Sequence, residues 1–160
     1  MPTLINMEID RNKTLAVTGH RTLNLDFSKK KLTEKFISYI EEGYETFLIG
    51  MAIGFDTVCF QTLEKLKKSY PHIKLIACVP CINQAEKFSM LQKLEYKRML
   101  SVADEVVYVG KEYTNTCMQK RNMFMVDHAS LVFAYIKRDF GGTANTVKYA
   151  QKQGVTVEKY

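Results

Sequence analysis

The sequence predicts a doubly wound, Rossmann-like α/β fold: a three-layer sandwich on a mainly parallel sheet of about five to six strands. Three observations lead there. Apolar runs stop abruptly at Gly19, Gly50, Pro80, Gly110 and Gly141, at intervals of 31, 30, 30 and 31 residues, about the length of one strand, loop and helix. Those runs are apolar on nearly every residue rather than on alternate ones, as strands are when a sheet is covered on both faces. The segments between the stops carry the three-to-four-residue apolar spacing of amphipathic helices. Strands alternating with helices imply parallel pairing, and right-handed crossovers place helices on both faces.

Residues 1–12 read as an extension and 13–160 as one domain, since 160 residues with 46% hydrophobic content suffice for a single core. The first strand, "TLAVTG", ends at Gly19. Leu32, Phe36 and Ile40 then recur every four residues among lysines and glutamates, one face of a first helix. "TFLIG" is the second strand, and Val58, Thr62 and Leu66, with Leu63, form the stripe of a second helix that ends before Pro71. "KLIACVP" supplies the third strand, followed by a helix expected over Gln84 to Leu100. "EVVYVG" is the fourth, with a helix over Met118 to Asp127. The fifth run, "SLVFAYIKRDFGG", reaches its glycines at Gly141 and Gly142, a helix covers Thr143 to Lys152, and "VTVEK" supplies a sixth strand.

Composition excludes several classes. No run of about 18 apolar residues is present, and Met1 to Asn12 lack the basic region and apolar stretch of a signal peptide, so a cytoplasmic protein without a membrane partner is expected. Four cysteines without a secretion signal read as reduced thiols. The formal charge of +6 comes mostly from lysines scattered over helix-like segments, such as Lys29 to Lys31 and Lys65, Lys67 and Lys68. These are not interleaved with stacking aromatics, so a solvated surface is expected and a nucleic-acid groove is not. The first loop lacks G-x-G-x-x-G, and Gly110-Lys111 lacks the rest of a Walker motif, which excludes a conventional dehydrogenase and a P-loop NTPase.

In a doubly wound sheet, every residue just after a strand lies on the same edge, where ligands bind. That edge collects Thr18, Gly19, His20 and Arg21; Gly50, Met51, Gly54 and Asp56; Pro80 and Cys81; and Gly141, Gly142 and Thr143. Glycines between strand and helix let backbone approach a ligand, and helix amino termini favour phosphate. "GGT" ahead of a helix reads equally well as a phosphate cradle or an ordinary tight turn; its place after the fifth strand favours the cradle. Arg21 suits bidentate contact with a phosphate, and His20 is either a loop-ordering histidine or an acid near neutral pH.

"VTGHR", "GMAIGFDT", "QKRNMFMVDHAS" and "GGTANTVKYA", four motifs in order from about Leu15 to Ala150, resemble the YpsA-like family, and its prophage YoqJ-type members especially. That family lies in the SLOG superfamily, beside the LOG phosphoribohydrolases and the DprA DNA-processing proteins. The resemblance implies a Rossmann-like domain that binds a nucleotide or nucleotide-derived small molecule at the edge already located, needs no cofactor, and forms a homodimer as superfamily relatives often do. Arg121, with Asn122 beside it, looks similar to an arginine that serves cleavage of a base from a ribose phosphate in the LOG relatives. The glutamate that follows the last glycine loop in those relatives has no counterpart: Ala144, Asn145, Thr146, Val147 and Lys148 stand there. Ser130 and Lys137 also depart from the pattern.

Breaking an N-glycosidic bond usually needs a carboxylate to activate water. His20, Asp56 and Asp127 are the candidates, so LOG-like N-glycosidase activity is an alternative to binding. Asp56, two residues after Gly54, also reads as a helix cap, and Asp127, at a helix carboxyl end, calls for a partner such as Arg121 or His128. A thiol oxidoreductase acting through Cys78 and Cys81 in "ACVPC" is a second alternative, and a DprA-like DNA-binding module a third. Cys78, Cys81, His72 and Cys117 lack the two close pairs of a zinc site, and no metal is expected. Met118, Met125 and Val126 read as helix packing.

Overall fold

Among the described residues six strands and five α-helices alternate: β1 (Thr14–Gly19), α1 (Lys29–Glu41), β2 (Thr46–Ile49), α2 (Phe55–Leu66), β3 (Lys74–Val79), α3 (Met90–Val102), β4 (Glu105–Tyr108), α4 (Cys117–Asp127), β5 (Leu131–Tyr135), α5 (Gly142–Lys152) and β6 (Thr156–Lys159). This computed structural model describes residues 9–160. The expected extension 1–12 thus lies mostly outside the described residues, and its end forms a single 3-10 turn, Arg11–Lys13, capped by Asp10. The sheet is open, six-stranded and entirely parallel, in the order β4-β3-β2-β1-β5-β6. The chain winds outward from β1 to β4, then returns to place β5 on the other side of β1, so the switch point lies between β1 and β5.

Two cores explain why the strands read as continuous apolar runs. Leu15 and Val17, Phe47 and Ile49, Leu75, Ala77 and Val79, and Leu131, Phe133 and Tyr135 pack with α1, α2 and α3 on one face. The intervening Ala16, Leu48, Ile76, Cys78 and Val132 pack with α4 and α5 on the other. The alternation of a strand is therefore present, with both sets apolar. No described helix is long and apolar enough to cross a membrane.

Two boundaries and one helix face differ from the sequence expectation. The segment expected to start a helix at Gln84 is a turn; α3 begins at Met90 behind a Ser89/Gln92 capping box, a pattern written in "SMLQ". Gln84 instead donates from Nε2 to the Gly50 carbonyl (3.2 Å) and accepts from the Tyr96 hydroxyl (3.2 Å). On α2 the buried face runs through Phe55, Cys59, Phe60 and Leu63, with Val58 and Leu66 only partly covered, because the helix is wedged between the sheet and its neighbours. The fifth strand stops at Tyr135, six residues before Gly141, because its ladder to β1 ends at Gly19 opposite Tyr135. Residues 136–141 are therefore a loop at the ligand edge.

Two tyrosines hold the β1–α1 connection over that edge. Asn24 N–H donates to the Tyr135 hydroxyl (2.8 Å) and Ser28 N–H to the Tyr160 hydroxyl (2.6 Å), while Phe27 stacks on Tyr160 at 5.2 Å between centroids.

Candidate functional site

At the switch point a cleft of about 600 Å³ opens between the ends of β1 and β5 and the amino ends of α2, α4 and α5. Ten of the expected site residues line it: Thr18, Gly19, His20, Arg21, Gly50, Asp56, Arg121, Asn122, Gly142 and Thr143. Arg21 is exposed at the rim and its guanidinium has no partner among the described residues. Gly141 is the amino cap of α5 at φ 93°, and neither it nor any side chain caps that helix, so the first N–H groups of α5 are open beside Gly142 and Thr143.

The other expected residues lie elsewhere. Met51 and Gly54 line a neighbouring groove, and Pro80 borders neither cavity. Asp127 sits at the far end of α4, away from the cleft, where it accepts from the Tyr149 hydroxyl (2.7 Å) rather than pairing with Arg121 or His128. Asp56 does not cap α2: Gly54 holds that position, and the carboxylate points back to the loop, with Oδ2 accepting from Ala52 N–H (3.1 Å).

His20 is almost fully buried, and its Nε2 accepts from Lys137 N–H at 2.8 Å. That contact requires an unprotonated Nε2. Burial, then the nearby Arg138 and Lys137, hold the imidazole pKa below its usual value, so His20 orders the β5–α5 loop as a neutral ring. Lys137 and Arg138 also line the cleft, beyond the expected site residues, because the apolar run that was expected to reach Gly141 ends as a strand at Tyr135. Their position directly after an apolar run was the available signal. Lys137 Nζ is held by Asp26 at 3.2 Å, and Arg138 lies over the exposed Phe140 ring at 5.1 Å.

Beneath the cleft, Arg121 and Asp56 flank Gly50. Arg121 is buried, with Nη1 donating to the carbonyls of Gly50 and Cys78, Nη2 near the Met118 sulfur (3.8 Å), and Nε donating to Asn122 Oδ1 (2.8 Å). A side chain at Gly50 would lie 2.8 Å from the Arg121 guanidinium and 3.0 Å from Asp56, so only glycine fits between the two charges. Burial pushes Asp56 up to about 6, against the pull of Arg121 and the Ala52 N–H, and its Oδ1 is buried without a hydrogen-bond partner. Burial likewise lowers the Arg121 pKa from its usual value, opposed by Asp56.

A carboxyl whose folded pKa lies above its unfolded value of 3.8 contributes stability that is full below that pH and is lost as pH rises through about 6. The gap of about two units corresponds to roughly 2–3 kcal/mol. Asp56→Asn is therefore expected to be more stable than the parent at pH 7, by an amount that shrinks toward zero near pH 4. Urea unfolding across that range reads the difference, and a pH-independent offset would refute it.

The thiols are inert by position. Cys78 and Cys81 are fully buried, and burial raises them to about 12 and about 11. The neighbour of Cys81 is the Cys117 sulfur at 4.0 Å, and the helix expected from Gln84, whose amino end would lower a thiol pKa, starts only at Met90.

An open parallel sheet, helices on both faces and a glycine-lined cleft at the switch point define a Rossmann-like α/β protein. Within that class the chain belongs to the YspA SLOG family (YpsA), whose sequence profile matches residues 10–160. It is 36% identical over 139 residues to the uncharacterised SPbeta prophage-derived protein YoqJ of Bacillus subtilis strain 168, an alignment covering 76% of this chain and 81% of that one. Its fold resembles DNA processing protein A (DprA) of Streptococcus pneumoniae, with TM-score 0.64 and 18% identity, over 92% of this chain but only 50% of that one. It also resembles DprA of Helicobacter pylori, described with a single-stranded DNA binding mode, with TM-score 0.62 and 15% identity, over 91% of this chain and 64% of that one. The expectation against nucleic acid thus draws no support from these fold relatives.

Proposed function

We propose that the switch-point cleft binds the phosphate of a nucleotide or nucleotide-derived small molecule and that the protein retains this ligand rather than cleaving it. The observation that carries the reading is the unpartnered Arg21 guanidinium facing the uncapped amino end of α5 across one cleft, with Thr143 and Arg138 beside them. Such an arrangement offers a phosphate a planar fork of donors from one side and free backbone N–H groups from the other.

Binding is favoured over hydrolysis by the chemistry of the remaining groups. No acid follows Thr143, His20 Nε2 is already engaged by Lys137, Asp56 Oδ1 is enclosed, and Asp127 lies outside the cleft. A water-activating carboxylate is what an N-glycosidase would need there.

A thermal-shift screen of AMP, ADP-ribose, NAD and cyclic nucleotides tests the reading. A ligand at a hundredfold excess over Kd raises stability by about 2.7 kcal/mol, and it should be recovered intact. Arg21→Ala should weaken it by about tenfold or more, the loss of a charge-assisted hydrogen bond. No shift with any compound, or an undiminished shift in Arg21→Ala, would sink the proposal; release of free base would move it to the N-glycosidase alternative. A second reading, contact with single-stranded nucleic acid, is favoured by one observation, the exposed Phe140 beside Arg138 at the cleft mouth. Competition between a short oligonucleotide and the nucleotide at two salt concentrations separates the two.

A further inference from the structure

A second cavity of about 530 Å³ lies on the other side of the β2–α2 loop, between α2 and α3, and meets the polar cleft at Arg21 and Thr22, which line both. The loop "GMAIG" is the wall between them. Its residues alternate: Gly50 and Ala52 face the polar cleft, while Met51 and Ile53 face the groove, which Val58, Phe88, Leu91 and Met99 complete as an apolar lining.

Two features mark this wall as built rather than incidental. Met51 holds a left-handed backbone at φ 64°, the only non-glycine residue to do so among the described residues, with its side chain 1% exposed. Unfavourable backbone of that kind persists only where the surroundings over-determine it, and here it turns the methionine under the groove and leaves Gly50 over Arg121. Several polar groups around the groove are meanwhile engaged, while Arg21 at the junction is not. Thr57 donates to the Ala52 carbonyl, Gln92 Oε1 is in the α3 capping box, and Glu95 is held by Arg98 and Gln61. Away from the Arg21 junction the lining is mostly apolar, so the groove favours apolar contact and shape.

We infer that this groove is a second subsite of the same ligand site: it takes the flat ring, the base, of a nucleotide whose phosphate lies in the polar cleft, with Arg21 at the junction. The inference rests on the phosphate reading above. It explains why the edge carries an apolar cavity in continuity with a polar one, and it predicts a ligand that spans both, with weak discrimination among bases.

The test compares ribose 5-phosphate with AMP, GMP, CMP and UMP by calorimetry, on the parent, on Leu91→Gln, on Ile53→Asn/Leu91→Gln and on Arg21→Ala. Leu91 is 79% exposed, so the single groove variant leaves the fold untouched. At least one mononucleotide should bind the parent tenfold or more tighter than ribose 5-phosphate. The groove variants should remove most of that advantage while leaving ribose 5-phosphate affinity unchanged. Equal affinity for ribose 5-phosphate and every mononucleotide, or an advantage the groove variants do not touch, overturns the groove assignment while the phosphate reading stands. Mononucleotide binding that depends on the groove but not on Arg21 overturns the phosphate reading alone, and absence of any binding overturns both. A parent that is dimeric, with groove variants that become monomeric and keep full nucleotide affinity, would make the groove an interface between copies and also overturn the assignment.

Discussion

Replacing Arg121 with alanine is expected to cost about 3–5 kcal/mol of stability, the usual effect of breaking a buried charge arrangement by removing one member. The guanidinium holds the carbonyls of Gly50 and Cys78 and is the nearby positive charge that opposes the desolvation of Asp56. Its loss leaves buried acceptors with fewer donors, a carboxyl without compensation, and a cavity under the cleft. In a cycle of Asp56→Asn, Arg121→Met and the double variant, the double should be more stable than the sum of the two single effects by about 1 kcal/mol or more, because Asp56→Asn relieves more once the opposing guanidinium is gone. Urea denaturation at pH 7 reads both quantities. A cost for Arg121→Ala below 1 kcal/mol, or strict additivity, would show that the two charges do not act as a unit.

Gly54→Ala is expected to be as severe, about 3 kcal/mol or more, for a steric reason. Gly54 has φ 85°, and a Cβ there would lie 2.3 Å from the Arg21 carbonyl oxygen, a backbone atom with nowhere to move because Phe55 N–H donates to the adjacent His20 carbonyl at 3.1 Å. The variant must carry the strained backbone, itself costing of order 1–3 kcal/mol, and also push the Arg21 loop off α2. The comparator is Gly43→Ala, where φ is 109° but nothing lies within 4 Å of the added methyl. It should show the strain alone. Thermal unfolding of the pair separates clash from strain, and equal losses at both positions would refute the clash. Because Arg21 stands in both cavities, any folded Gly54→Ala protein should also have lost phosphate affinity.

Much of the architecture is legible in one dimension because it rests on local regularities. The thirty-residue spacing of the first four strand ends, the Leu32-Phe36-Ile40 stripe and the unbroken apolar strands all survive in the structure. The capping box at Ser89 is equally legible, and it puts the start of α3 at Met90 rather than at the expected Gln84. The end of β5 was not legible, since nothing in "SLVFAYIKRDFGG" says where β1 stops offering partners; strand length there is set by the neighbour.

The candidate site divides in the same way. Chain order placed Thr18 to Arg21, Gly50, Asp56 and Gly142 with Thr143 on one edge, because a parallel sheet delivers every strand end to the same side. Roles depended on contacts across the fold. His20 became a neutral loop anchor through a residue 117 positions away, and Asp127 left the cleft because α4 carries it to the opposite edge. Met51 and Ile53 turned away from Gly50 and Ala52 into a separate cavity. Periodicity and turn chemistry act between neighbours in sequence, so they determined the parallel sheet covered on both faces and the edge on which the strand ends meet. Burial, charge compensation and the facing of a loop depend on what packs from distant segments, and only the assembled fold decided those.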